Sequence, residues 1–227
     1  MTQTRARGWT IVGLCLALLG IPAVTTLSRL AADPVASNVV LARELAILGV
    51  TALLIWIVRQ RERLPLSSIG IRTDGIGRSL AWGVGLAVVC FAIVIACLAG
   101  FSALGIHYGE GQVISRALPL TLLTVVRAGI SEEVLYRGYA LERLQSLTGS
   151  KWIAAGATLV LFALFHYRQG LAGIFLAFVI GAVLTGFYLW KRNLIANIFG
   201  HFLVDFVPNV VLPLLGAVDW LLANVSH

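Results

Sequence analysis

Leu80–Phe101 reads LAWGVGLAVVCFAIVIACLAGF, a run of 22 residues without a charged side chain. At ~1.5 Å per residue, a helix of that length measures roughly 33 Å, more than the roughly 30 Å of a bilayer's hydrocarbon core. Backbone polar groups cannot go unpaired in lipid, so such a run is a helix rather than an isolated strand. A β-barrel would instead show alternating segments of roughly ten residues. Six further apolar stretches flank this one: Trp9–Leu27, Val39–Val58, Ala117–Tyr139, Trp152–Tyr167, Leu171–Trp190 and Leu194–Leu215. An eighth, Ala217–Val225, is too short to span alone. The sequence therefore predicts an all-α fold, a polytopic membrane helix bundle of about seven transmembrane helices, forming a single integral membrane domain over residues 1–227.

The composition agrees. Of the 227 residues, 59% are hydrophobic and 12% charged, with mean hydropathy +0.93. A charged share near 25% is usual for soluble domains, so a soluble single-core protein is excluded. Disorder is excluded too, since it needs low hydrophobicity and high charge.

The net charge of +7 follows from topology. With the N-terminus cytoplasmic, the inside segments hold Arg5, Arg7, Arg59, Arg61, Arg63, Arg72, Arg78, Arg143, Lys151, Lys191 and Arg192. The outside segments hold Arg29, Arg116 and Arg168, and Arg43, Arg127 and Arg137 lie within apolar stretches. This asymmetry is the positive-inside pattern. It places the chain in the cell (plasma) membrane with its N-terminus inside, and no nucleic-acid partner is needed to explain the charge. The first stretch follows Arg5 and Arg7 but is long for a signal peptide. With no small-x-small cleavage site before Asp33, it reads as a retained anchor. Arg59–Ser79, with five arginines, reads as a cytoplasmic loop on the anionic inner leaflet. The loop residues His107 and Glu110 are given no chemical role. Cys15, Cys90 and Cys97 all sit in apolar stretches and read as packing residues.

Ionisable groups inside a membrane cost about 2.5–3.5 kcal/mol each and face a partner or a polar cavity. Three such clusters stand in the second half of the chain. In Ser131-Glu132-Glu133-Val134-Leu135-Tyr136-Arg137, Glu133 and Arg137 are four apart and share a helix face. Glu132 is five residues from both Arg127 and Arg137 and has no cation at i±3 or i±4, so it reads as an unpaired carboxylate, with the basicity a general base needs; the alternative is that both glutamates are structural, tied to Arg127 and Arg137. In Phe162-Ala163-Leu164-Phe165-His166, Phe162 lies one turn before His166 and walls its ring. In His201-Phe202-Leu203-Val204-Asp205, His201 and Asp205 share a face. Asn193, Asn197 and Asn209 extend that four-residue spacing. At ~1.5 Å per residue the three clusters reach comparable depths in the inner half of the bilayer.

The three motifs, EExxxR, FxxxH and HxxxD, in that order on separate helices, resemble the CPBP family of intramembrane proteases. That family includes the type II CAAX prenyl proteases and the bacteriocin-processing and immunity (Abi) proteins. The resemblance runs from about Leu118 to Asp205 and implies an endopeptidase with its catalytic core at about 117–215. It implies that Glu132 and His166 activate the attacking water and that His201 and Asp205 stabilise the oxyanion. Glu133 and Arg137 match the supporting ion pair. The implied substrate is a membrane-associated or prenylated protein or peptide, approached within the lipid bilayer.

Asp205 departs from the family pattern, which often ends in Asn. An ionised carboxylate cannot donate to an oxyanion. Asp205 is therefore either protonated, a holder for His201, or a metal ligand. Glu132, His166, His201 and Asp205 are the residues that would hold Zn²⁺ in a metal-dependent version. No HExxH motif is present, and the metal-independent, glutamate-type reading is preferred. Two other functions fit buried Glu, His and Asp. One is a proton-coupled transporter, against which stands the lack of an internal repeat. The other is a non-catalytic immunity or scaffold protein of the same fold.

Overall fold

The computed structural model describes residues 3–106, 108 and 117–216. His107, Glu110, Arg116 and the stretch Ala217–Val225 lie outside the described residues. The described residues form helices α1 (Gln3–Ser28), α2 (Ser37–Trp56), α3 (Ile76–Ala103), α4 (Leu118–Glu132), α5 (Glu142–Thr148), α6 (Lys151–Leu164), α7 (Gly170–Lys191), α8 (Leu194–Phe206) and a last turn α9 (Leu212–Leu214). No strand occurs among the described residues. Five helical runs are long and apolar enough to cross a bilayer: Gly8–Ser28, Ser37–Arg61, Ile76–Ala103, Tyr167–Lys191 and Leu194–Leu214. The α4 rod and the shorter apolar α6 bring the helical rods to the seven expected from sequence.

Two of those rods differ from their expected form. The fourth does not end at Tyr139. A π-helical segment, Glu133–Leu141, joins α4 to α5, so the rod runs on to Thr148. Backbone bonds in a π segment run i→i+5, a rare geometry that is frequent at functional sites. Here that segment carries Glu133 and Arg137. The fifth rod, α6, is cut short at Leu164, and His166 opens a 3₁₀ turn, Tyr167–Gln169, leading into α7. Its 14 residues cover roughly 21 Å at ~1.5 Å per residue, less than the hydrocarbon thickness. Non-helical backbone at membrane depth is tolerated where it is buried in protein or lines a water-filled cavity.

The α4 rod is the hub of the bundle. Its lower half packs on α1 and α6, while α2 and α8 flank α4 itself. Val134, Leu135, Tyr139, Ala140 and Leu141 are all essentially fully buried. Small residues set the closest approaches. A Cβ on Gly83 of α3 would lie 3.0 Å from the Ala196 carbonyl oxygen of α8, and one on Gly200 would lie 3.1 Å from the Gly83 carbonyl oxygen. Helices in lipid gain contact through such small-residue interfaces.

Charged and aromatic residues gather at one end. Arg61 stacks over both Trp9 and Trp56 at 4.8 and 4.7 Å, and Lys191 lies 3.6 Å from the Trp190 ring and 4.8 Å from that of Trp82. Tryptophan marks membrane interfaces and basic residues mark the cytoplasmic side.

The Arg59–Ser79 loop departs from its expected place on the leaflet surface. Arg143 grips Glu62 with Nε and Nη2 at 3.0 and 2.7 Å, and the same carboxylate accepts from Tyr139 at 2.8 Å. Ile69 is fully buried. Gly70, at φ 78°, accepts from the Leu194 N–H at 2.9 Å. Part of this loop is thus folded into the base of the bundle, because Ile69 and the Glu62 carboxylate both find partners there.

Candidate active site

Glu133 is fully buried. A carboxylate in that setting needs its lone pairs filled, and three donors fill them, one from its own rod and two from α8. Arg137 Nη1 donates at 2.8 Å, His201 Nδ1 at 2.8 Å and Asn197 Nδ2 at 3.2 Å. Arg137 is held in turn. Its Nε reaches Thr185 Oγ1 and its Nη2 the Gly181 carbonyl, each at 3.4 Å, and its guanidinium lies 4.1 Å from the Phe162 ring centre. The expected ion pair between Glu133 and Arg137 is present, and it joins the α4 rod to α6, α7 and α8.

Both histidines donate from the same ring nitrogen, Nδ1. A carboxylate only accepts, so His201 Nδ1 carries the hydrogen shared with Glu133. Nε2 then faces Asp205 Oδ2 at 3.6 Å and Glu132 Oε2 at 4.0 Å. Likewise His166 Nδ1 donates to the Phe162 carbonyl at 2.9 Å, leaving its lone pair on Nε2. The Phe162 ring packs 4.9 Å from the His166 ring and 5.3 Å from that of Tyr136. Among the described residues, His166 therefore joins the cluster through Phe162 rather than by a direct hydrogen bond to Glu132.

Glu132 is placed differently from its neighbour. Its side chain keeps 15% of its surface exposed and Asp205 keeps 34%, against none for Glu133. It also has a counter-ion. Arg127 Nη1 lies 3.1 Å from Glu132 Oε1. The helical rule sought cations three or four residues away. Arg127 reaches from five away because its Nε is anchored across the bundle, 2.6 Å from Glu44 Oε2 on α2. Glu44 is fully buried and also accepts from Arg43, through Nε at 2.9 Å and Nη2 at 2.5 Å. The ionisable groups of the membrane interior are thus not confined to the second half of the chain. The signal for Glu44 was available: a carboxylate in the middle of an apolar stretch needs a buried partner.

Residues 114–207 match the family model described as type II CAAX prenyl endopeptidase Rce1-like. This segment is Rce1-like. It contains all three motifs, so the resemblance to the CPBP and CAAX protease group holds over these residues, and the five long apolar helical runs make the chain an integral membrane protein. No curated protein and no solved structure matches it. Helices α1, α2 and α3, with Glu44, lie outside the Rce1-like segment.

The fit to a metal can be tested on the donors themselves. Among the described residues, no three His, Cys, Asp or Glu side chains gather closely enough to hold a metal ion. Glu132 Oε1 is held by the Arg127 guanidinium, and each histidine, with its Nδ1–H donated to a protein acceptor, has Nε2 as the nitrogen it could offer a metal.

Proposed function

We propose that the chain is an intramembrane endopeptidase that hydrolyses a peptide bond of a membrane-associated or prenylated protein close to the cytoplasmic side. The supporting observation is the contrast between the paired glutamates. Glu133 spends its carboxylate on Arg137, His201 and Asn197, while Glu132, in a partly exposed position, has no hydrogen bond to Oε2 among the described residues. One carboxylate holds the site together and the other is left to act.

In this reading Glu132, assisted by His166, takes a proton from a water molecule. The resulting hydroxide adds to the scissile carbonyl carbon. The oxyanion forms against His201 Nε2, which must carry a hydrogen to stabilise it. Glu132, Glu133 and Asp205 surround that ring with the negative charge an imidazolium needs. Asp205 serves here as the holder of His201 at i+4, so it need not donate. On collapse the C–N bond breaks and Glu132 returns its proton to the leaving amine. The basic, tryptophan-rich end of the bundle supports a cytoplasmic N-terminus in a cell membrane.

The test uses purified protein in lipid nanodiscs and an internally quenched farnesylated CAAX peptide. Wild type is expected to cleave, while Glu132→Gln and His166→Ala are inert with unchanged melting temperature. Full cleavage by Glu132→Gln would overturn the proposal. Chelation with 1,10-phenanthroline and metal analysis run alongside; a chelator-sensitive rate with stoichiometric metal would replace the glutamate-type mechanism.

A further inference from the structure

We infer that Glu44 on α2, outside the Rce1-like segment, is a positioning residue for Glu132 and acts through Arg127. The inference rests on the reading of Glu132 as the base. Its physical content is the direction in which one guanidinium points. Arg127 is 8% exposed, so its five donors must find acceptors inside the bundle. Glu44 takes the Nε side at 2.6 Å, which fixes the plane of the fork and leaves Nη1 aimed at Glu132 Oε1 at 3.1 Å. One cation is thus shared by two carboxylates, and the shorter contact goes to Glu44. Arg43 balances the second negative charge, giving a chain Arg43–Glu44–Arg127–Glu132 with two charges of each sign.

Sharing decides what is left for chemistry. An Arg and a carboxylate with no competitor settle into a bidentate pair that occupies both oxygens. With Glu44 holding the Nε side, Arg127 engages Oε1 of Glu132 alone. Oε2 stays beside His201 Nε2, where a water can meet it. Without the Glu44 charge, the fork is free to turn and close on both oxygens of Glu132.

The experiment measures kcat and KM on the farnesylated peptide for wild type, Glu44→Gln, Glu44→Asp, Arg127→Gln and the Glu44→Gln/Arg127→Gln pair, in nanodiscs. Glu44→Gln is expected to lower kcat about tenfold with KM unchanged, short of the roughly hundredfold that a 1 Å misplacement can cost. Glu44→Asp, which keeps the charge and is the variant to read if Glu44→Gln does not fold, is expected to recover part of kcat. The pair is expected to be no slower than Arg127→Gln alone, since both changes act along one path. Wild-type kcat in Glu44→Gln, or losses that multiply in the pair, would overturn the inference. An inert wild type would instead strike the protease reading. The ¹⁵Nε resonance of Arg127 then decides the positioning: it is expected to shift in both Glu44→Gln and Glu132→Gln, and a resonance blind to Glu132→Gln refutes the sharing.

Discussion

Nδ1 of His201 stands 2.8 Å from Oε1 of Glu133, and Arg137 Nη1 reaches the same oxygen at the same distance. One carboxylate oxygen therefore pins the α4 rod to α8 and fixes which nitrogen of His201 faces the cavity. Removing its charge leaves Arg137 buried and unpaired. Glu133→Gln is expected to destabilise the protein by about 3–5 kcal/mol, the range for breaking a buried pair from one side. Thermal unfolding in detergent, compared with wild type, measures it.

Glu132 calls for the opposite outcome. It is partly exposed and leaves no fully buried partner bare, so Glu132→Gln is expected to keep the wild-type melting temperature. Its peptidase rate is expected to fall by roughly 10²–10⁴-fold, the usual contribution of a general base. Rate and melting curve on the same sample separate the two carboxylates.

Gly181 makes room for Arg137. A Cβ there would lie 3.1 Å from Arg137 Nη2 and 3.1 Å from Phe162 Cδ1, whereas one on Gly186 of the same helix meets nothing within 4 Å. Gly181→Ala is expected to cost about 1–3 kcal/mol through overpacking, and to reduce activity by displacing the ring that abuts His166. Gly186→Ala is expected to leave both melting temperature and rate unchanged.

The tryptophan belt predicts a depth. Trp9, Trp56, Trp82 and Trp190 pair with one another and with Arg61 and Lys191 at one end of the bundle. In a Trp220→Phe background, lipids brominated near the headgroup are expected to quench tryptophan fluorescence more strongly than lipids brominated near the chain ends. Equal quenching at both depths contradicts the interfacial placement.

Much of this was legible in the chain itself. Glu133 with Arg137, Phe162 with His166 and His201 with Asp205 are each four residues apart, so helical periodicity alone put each pair on one face. The Glu44–Arg127 bond was not legible in this way, because it joins residues 83 apart in sequence and depends on which helices are neighbours. The Arg127–Glu132 contact was legible only as an alternative, because a five-residue spacing does not favour it and the guanidinium is anchored from α2. The charge of Arg59–Ser79 suggested a loop at the leaflet surface, and its arginines masked Ile69 and Glu62, which pack inward. The π segment left no mark in composition, and the early end of α6 was hidden because Phe165 and Tyr167 continue its apolar character.

The shortness of α6 has a consequence for the surrounding lipid. Trp152, Ile153, Val160 and Leu164 point outward along it, yet it reaches only about two-thirds of the way across an average hydrocarbon slab. Hydrophobic mismatch of that size is relieved by local thinning of the bilayer. Thinning there would bring headgroups and solvent toward the flank where His166 sits, and acyl-chain length would become a control on the wetting of the carboxylates.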